Sequence, residues 1–170
     1  MMAAREFRRT PNEFGIIQNP ALGAYALWQF GLGFQAEESR APVLPLSFLV
    51  LPLLLHRPTL DKISSTRKRS GLSVFAAKLG EERENLIAVH DRALMLRGLT
   101  LQSLAFAVNA GLITVKYDEA TARSNSLHAR LKSPLVPERI RGFSGAADKL
   151  GAWFSRAGLS QVASTLRVAY

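Results

Sequence analysis

Val43-Leu44-Pro45-Leu46-Ser47-Phe48-Leu49-Val50-Leu51-Pro52-Leu53-Leu54-Leu55 is apolar at every position except Ser47. A helix that crosses a bilayer needs about 20 apolar residues, and an isolated run of about 10–14 belongs more often to a protein interior. Pro45 and Pro52 punctuate the run, and His56, Arg57 and Pro58 end it at once. The stretch therefore predicts a buried helix, entered or broken at its prolines, and no membrane span. Something must cover it, either the chain's own helices or a partner.

Upstream, Asn19-Pro20 is a helix start, since Asn caps free amides and Pro is tolerated in the first turn. That helix carries Leu22, Ala26, Phe30 and Phe34 on one stripe and Tyr25, Trp28 and Leu32 on another. A helix apolar nearly all round is a buried one. Residues 1–18 read as an N-terminal arm and residues 19–170 as a single helical domain. Together, the helices at 20–36 and 43–55 hold more apolar surface than a chain of this size needs, so part of it is expected to meet a partner. Trp28 and Phe30 are candidate docking anchors on that view, although aromatics at helical spacing are more often core.

Downstream, Leu72, Phe75, Ala76 and Leu79 mark a short helix closed by Gly80. Glu81, Glu82 and Glu84 suit the positive end of the next helix dipole. Its stripe of Leu86, Val89, Ala93 and Leu96 ends at Arg97-Gly98. Thr100 then caps a helix whose expected buried face is Leu101, Leu104, Ala105 and Val108, stopping near Gly111. From Ile113 the period changes: Ile113, Val115 and Tyr117 alternate with polar residues, and Asp118-Glu119-Ala120 turns toward Leu127. Pro134 and Pro137 open a last helical region containing Ala147, Leu150, Trp153 and Phe154. Gly158 separates it from a segment with Val162 and Leu166. The fold class is mainly α: a helical bundle with a winged-helix-like unit and a small β-hairpin near residues 113–127.

The chain has 170 residues, enough for one domain, and its 48% apolar and 21% charged residues are globular values. It has no cysteine, which excludes disulfides and thiolate metal sites. Met1 to Pro11 contains no apolar signal core, so a cytoplasmic location is expected. Net charge is +9, a bias toward polyanions. Arg57, Lys62, Arg67, Lys68 and Arg69 crowd one stretch opposed by Asp61 alone. A second stretch runs through Arg123, Arg130, Lys132, Arg139 and Arg141. A solvated face and polyanion contact fit these charges equally well.

No catalytic constellation emerges. His56, His90 and His128 lie far apart, and neighbouring helix residues such as His90 and Asp91 point about 100° apart. His56 is expected to end a helix and meet its free carbonyls. Gly31-Leu32-Gly33-Phe34-Gln35-Ala36 spells a dinucleotide fingerprint, but that motif follows a strand, and here a helical pattern precedes it. No phosphate-binding GxxxxGK[ST] loop occurs, and neither a metal site nor a cofactor is expected. From Thr100 to Val115 no residue is charged, whereas base readout from a groove-inserted helix wants Arg, Lys, Asn or Gln. Gln102 and Asn109 remain there, but Phe106 and Ala107 are poor groove contacts. Such a helix packs on protein, leaving the basic segments to touch phosphates without sequence choice.

An ordered series of motifs points further. Asn19-Pro20-Ala21-Leu22-Gly23-Ala24-Tyr25 is followed by Trp28-Gln29-Phe30, then by Pro45 through Pro52, then by Leu55-His56-Arg57-Pro58-Thr59. Ser65-Thr66-Arg67, Ser70-Gly71-Leu72, Leu101-Gln102-Ser103-Leu104, Gly111-Leu112 and Lys149-Leu150-Gly151-Ala152-Trp153-Phe154 continue it. From Asn19 onward the chain resembles the middle component of three-component ABC systems. Phe75-Ala76 departs from that pattern, where a tryptophan is expected, and the N-terminal arm is longer than expected. The resemblance implies a bacterial anti-phage or conflict operon in which a Rad50- or SMC-like ABC ATPase senses DNA and another protein carries the effector. The middle component would be a non-enzymatic adaptor between them.

On this reading the partners are the ABC-type ATPase subunit and the effector subunit of the same operon, with DNA touched non-specifically and no membrane. Arg57, Lys62, Thr66, Arg67, Lys68 and Arg69 are the candidate polyanion or ATPase contacts, with Thr66-Arg67 foremost. Leu101, Gln102, Phe106 and Asn109, with the following hairpin, are the candidate docking surface. The rival is a stand-alone winged-helix DNA-binding transcriptional regulator, which the uncharged helix disfavours. A membrane-surface protein using the apolar run comes third.

Overall fold

The computed structural model describes residues 19–126 and 138–170. The arm of residues 1–18 lies outside the described residues, as do Leu127, His128, Arg130, Lys132, Pro134 and Pro137. The described residues form eight α-helices and one antiparallel hairpin: α1 (Pro20–Glu38), α2 (Leu44–Leu54), α3 (Arg57–Ser65), a 3-10 turn (Lys68–Ser70), α4 (Gly71–Gly80), α5 (Arg83–Met95), α6 (Arg97–Asn109), β1 (Ile113–Lys116), β2 (Thr121–Ser124), α7 (Glu138–Ala157) and α8 (Leu159–Leu166). The mainly helical class with a small hairpin is as the sequence predicts. Helices α5 and α6 followed by the hairpin have the element order of a winged-helix unit.

Asn19 caps α1 as expected: its Oδ1 accepts from the amides of Ala21 (3.0 Å) and Leu22 (3.3 Å). The helix runs through the centre of the molecule and makes its most extensive contact with α7. At Gly33 an added Cβ would strike the backbone of Asp148, and at Gly151 it would strike the carbonyl of Phe30. The two helices thus approach backbone to backbone, which lets Phe30 meet Phe154 edge-on with centroids 5.6 Å apart. At Gly31 an added Cβ would strike the side chain of Ser124 on the hairpin. The glycines that spell a dinucleotide fingerprint are packing glycines in the middle of a helix.

Helix α2 is the apolar run, and the chain's own elements cover it. Leu46, Leu49, Val50, Leu51, Leu53 and Leu54 are each at most 1% exposed. No side chain caps its start. The hairpin does so instead: the Leu44 amide donates to the Ala120 carbonyl (2.7 Å), the Ala122 amide donates to the Pro42 carbonyl (3.0 Å), and Pro45 brings no amide to satisfy. At the far end Arg92 Nε donates to the Pro52 carbonyl (3.3 Å), one that the helix leaves free. No helix among the described residues is long and apolar enough to cross a membrane. The exposed apolar surface expected on residues 20–36 and 43–55 lies chiefly elsewhere, on α5 and α6, where Ile87, Leu94, Met95, Leu101, Phe106 and Val108 are exposed.

Helix α4 ends at Gly80 as expected, with ordinary helical angles at its Glu81 cap. Three other local readings are corrected. Arg97-Gly98 opens α6 rather than ending α5, because Gly98 keeps a negative φ and only Leu96 separates the two helices. Thr100 therefore lies inside α6, its amide bonded to the Leu96 carbonyl (2.9 Å). Tyr117, expected on a strand, stands beyond β1 and is 86% exposed.

Two glycines of α7 give the close approach a test. Gly142 has open space around it, whereas Gly151 abuts α1. Gly142→Ala should stabilise the fold by up to about 1 kcal/mol through helix propensity. Gly151→Ala should destabilise it by about 2–3 kcal/mol through overpacking against rigid backbone. Urea denaturation of both variants reads the opposite signs.

Candidate partner and polyanion interface

The basic segment is largely occupied with holding the fold. Arg57 pairs with Asp61 one turn along α3 (3.1 Å), and Lys62 lies 3.9 Å from Glu82. Lys68 Nζ reaches Asp148 on α7 at 2.7 Å, while its carbonyl accepts from Trp153 Nε1 (2.8 Å) and Arg156 Nη1 (3.2 Å). Lys149 donates to the carbonyls of Ile63 (3.3 Å) and Ser64 (2.9 Å), and Lys78 donates to that of Ser65 (3.3 Å). Two ammonium groups thus cap the C-terminus of α3, where free carbonyls and the helix dipole favour cations. Neither lysine stood out in the sequence, because their carbonyl partners are remote in the chain.

Thr66, a leading candidate, is 2% exposed, and its hydroxyl donates to the Lys62 carbonyl at 2.7 Å. It shapes the end of α3 and presents no side chain to solvent. Of the six candidate contacts, only Arg67 and Arg69 are exposed without an ion pair or side-chain hydrogen bond among the described residues. They flank Lys68 at the 3-10 turn. In the second stretch Arg123 donates to the Ser39 carbonyl (3.2 Å) and Arg141 is exposed.

His56 does not end a helix. It stands at the N-cap of α3 with Nδ1 2.7 Å from Thr59 Oγ1. Arg92 Nη2 donates to the same hydroxyl at 3.5 Å. The Thr59 hydroxyl thus ties the His56 ring to the Arg92 guanidinium. Burial, and then the charge of Arg92, lower the His56 pKa from its ordinary 6.5. Glu37 is held below its ordinary 4.5 first by its hydrogen bonds from Arg156 (3.0 and 3.1 Å) and then by the positive charges of Arg156 and Lys68. In each case the fold favours the deprotonated form. Stability from His56 is whole above about pH 6.5 and falls as acid carries the pH through its lowered folded value, while Glu37 contributes the same loss in a window below about pH 4.5. His56→Asn should flatten the fall of the melting temperature as the pH drops below about 6.5.

Of the proposed docking residues, Trp28 and Phe30 are corrected to core. They are 4% and 1% exposed, and the indole of Trp28 donates to the Asn125 carbonyl at 2.8 Å. Leu101, Gln102, Phe106 and Asn109 are exposed. They belong to a helix with apolar residues on both faces. The inward face of α6 is Thr100, Ser103, Leu104 and Ala107, so that of the expected Leu101, Leu104, Ala105 and Val108 only Leu104 is buried. The hydroxyls of Thr100 and Ser103 are buried without partners, and Ser103 sits against Gly23 of α1, where a Cβ would meet its Oγ. Outward stand Leu101 (49% exposed), Phe106 (47%) and Val108 (41%). Periodicity gave the helix but misassigned its faces, because apolar residues occur on both sides.

Burying a hydroxyl without a partner costs about 1–3 kcal/mol. Thr100→Val and Ser103→Ala should therefore be neutral or stabilising, by up to about 1 kcal/mol each. Thermal melts of the two variants check this, and a marked loss of stability in both would show that the hydroxyls have partners.

Among the described residues no group of three His, Cys, Asp or Glu side chains could hold a metal ion. His90 Nδ1 is buried without a partner and Asp91 is exposed. The sequence profile of ABC-three component (ABC-3C) system Middle Component 3, MC3, matches residues 7–170. The chain belongs to the MC3 family. The match bears out the resemblance to a middle component and extends into the N-terminal arm, beyond the Asn19 from which the motifs run. No curated protein and no solved structure matches the chain. A middle component has as partners the other members of its three-component ABC system. From Thr100 onward the exposed side of α6 carries no charge, whereas Arg67 and Arg69 stand exposed at the 3-10 turn.

Proposed function

We propose that this middle component is a non-enzymatic cytoplasmic adaptor that bridges a Rad50- or SMC-like ABC ATPase and the effector subunit of the same operon in a bacterial anti-phage system. The outer face of α6, with the adjoining hairpin, docks the ATPase. The observation that carries this reading is the exposure of Leu101, Phe106 and Val108 on the outer face of α6. A helix that turns Leu101, Phe106 and Val108 to solvent and hydroxyls to the core gains its burial only when another protein covers it. Arg67 and Arg69 supply sequence-independent contact to DNA phosphates beside the ATPase. From Thr100 onward the helix carries no charge, which disfavours a stand-alone regulator, since it offers base edges little to bind.

Co-expression with the two neighbouring subunits tests this directly. Phe106→Asp with Leu101→Asp, both at exposed positions, should cut co-purification of the ATPase by at least about tenfold while leaving the melting temperature near that of the parent, as expected for central apolar contacts. Arg67→Glu with Arg69→Glu should leave the protein complex intact and lower the slope of DNA affinity against salt by about two. Retention of the ATPase by the α6 variant would refute the docking surface.

A further inference from the structure

A groove of about 420 Å³ lies between α2, α5, the hairpin turn and the segment beyond α8. Phe48 and Leu49 form one wall, His90 and Leu94 another, with Tyr170 opposite and Arg97 at the first turn of α6. The groove exists because α5 spends its inner side on the core through Val89, leaving Leu94 60% exposed, and because Tyr170, 61% exposed, stands clear of the core. Its size falls within the range of about 300–1,000 Å³ typical of sites that enclose a compact ligand or anchor side chains. None of Leu101, Gln102, Phe106 and Asn109 lines it, so it is separate from the outer face of α6.

The lining is apolar except for His90, Tyr170 and Arg97, and Arg97 is its one charged side chain. Arg97 is exposed and makes no ion pair or side-chain hydrogen bond among the described residues. A cation left unpaired at the rim of an apolar groove, on a chain of net charge +9, selects an occupant that joins apolar bulk to negative charge.

We infer that this groove is a second docking site, and that it takes an acidic amphipathic helix of the effector subunit. Two apolar side chains one turn apart fill the groove, and a carboxylate on the same face of that helix pairs with Arg97. This is the helix-in-groove mode of recognition, in which anchors at i and i+3 or i+4 supply the affinity. The inference rests on the adaptor reading and adds to it: an adaptor needs two surfaces, and the fold offers α6 to one partner and the groove to the other.

Leu94→Asp and Arg97→Glu test the site, because both residues are exposed and both substitutions spare the core; circular-dichroism melts confirm folding. Co-expressed with the two neighbouring subunits, each variant should lose the effector by at least about tenfold and keep the ATPase. Anilinonaphthalene sulfonate, an apolar aromatic anion, should bind the isolated wild-type chain saturably, be displaced by the effector, and bind both variants more weakly. Effector retained by both variants would overturn the groove and leave the adaptor standing, as would loss of the ATPase in place of the effector. A wild-type chain that captures neither subunit would remove the adaptor and this inference together. A dimer that dissociates on Leu94→Asp would mean that a second copy fills the groove, and dye binding unchanged in both variants would show that the groove is not its site; either result overturns the proposal.

Discussion

The contact between α1 and α7 is the constraint on which the rest of the molecule hangs. Gly33 and Gly151 allow these helices to touch through their backbones, so the aromatic side chains beside them pack around the crossing rather than between the axes. Phe30 meets Phe154 on one flank, and on another Trp153 stacks with Phe75 of α4 at 5.4 Å. The other face of α1 receives the hairpin: Gln35 exchanges hydrogen bonds with the Ser124 backbone (2.7 and 3.0 Å), and Ser124 Oγ donates to the Trp28 carbonyl (2.8 Å). A single central helix therefore sets the position of both the bundle and the sheet.

Around that pair the polar chemistry goes mostly into closing helix ends. Helix α2 has no polar side chain of its own to do so and borrows a hairpin carbonyl at one end and the Arg92 guanidinium at the other. Helix α3 ends under two lysines from other elements. Each borrowed cap fastens one element to another that is distant in sequence, so the cations act as cross-links. Part of the positive charge that suggests a polyanion surface is consumed in this way, while Arg67 and Arg69 stay exposed at the 3-10 turn.

What could be read from the sequence follows from the range of the interactions involved. Local signals were legible: the Asn19 cap, the length limit on the apolar run, the alternation from Ile113 to Lys116 and the helical spacing of Leu150, Trp153 and Phe154. The family resemblance, carried by an ordered series of short motifs, was legible too. Signals that depend on a distant partner were not. Gly98 has the letter of a helix stop, yet its backbone stays helical because nothing forces a positive φ there. The face of α6 could not be assigned, since apolar residues lie on both of its sides and hydroxyls are normally read as outward. Trp28 and Phe30 could be anchors or core on spacing alone, and only the proximity of α7 and the hairpin decides for core.

The segment that leads into α2 has one more effect. By pairing with Thr121 through Val43 and bonding to Ala120 and Ala122, residues 42–44 lie along the outer side of β2 as a third, minimal strand, and Pro42 carries no amide that could recruit a fourth. The rim of a sheet is where chains join by adding strands to one another. On this molecule β1 is left as the open rim among the described residues, so edge-to-edge growth is possible in one direction alone and self-templated stacking of copies is blocked by the way the apolar helix begins.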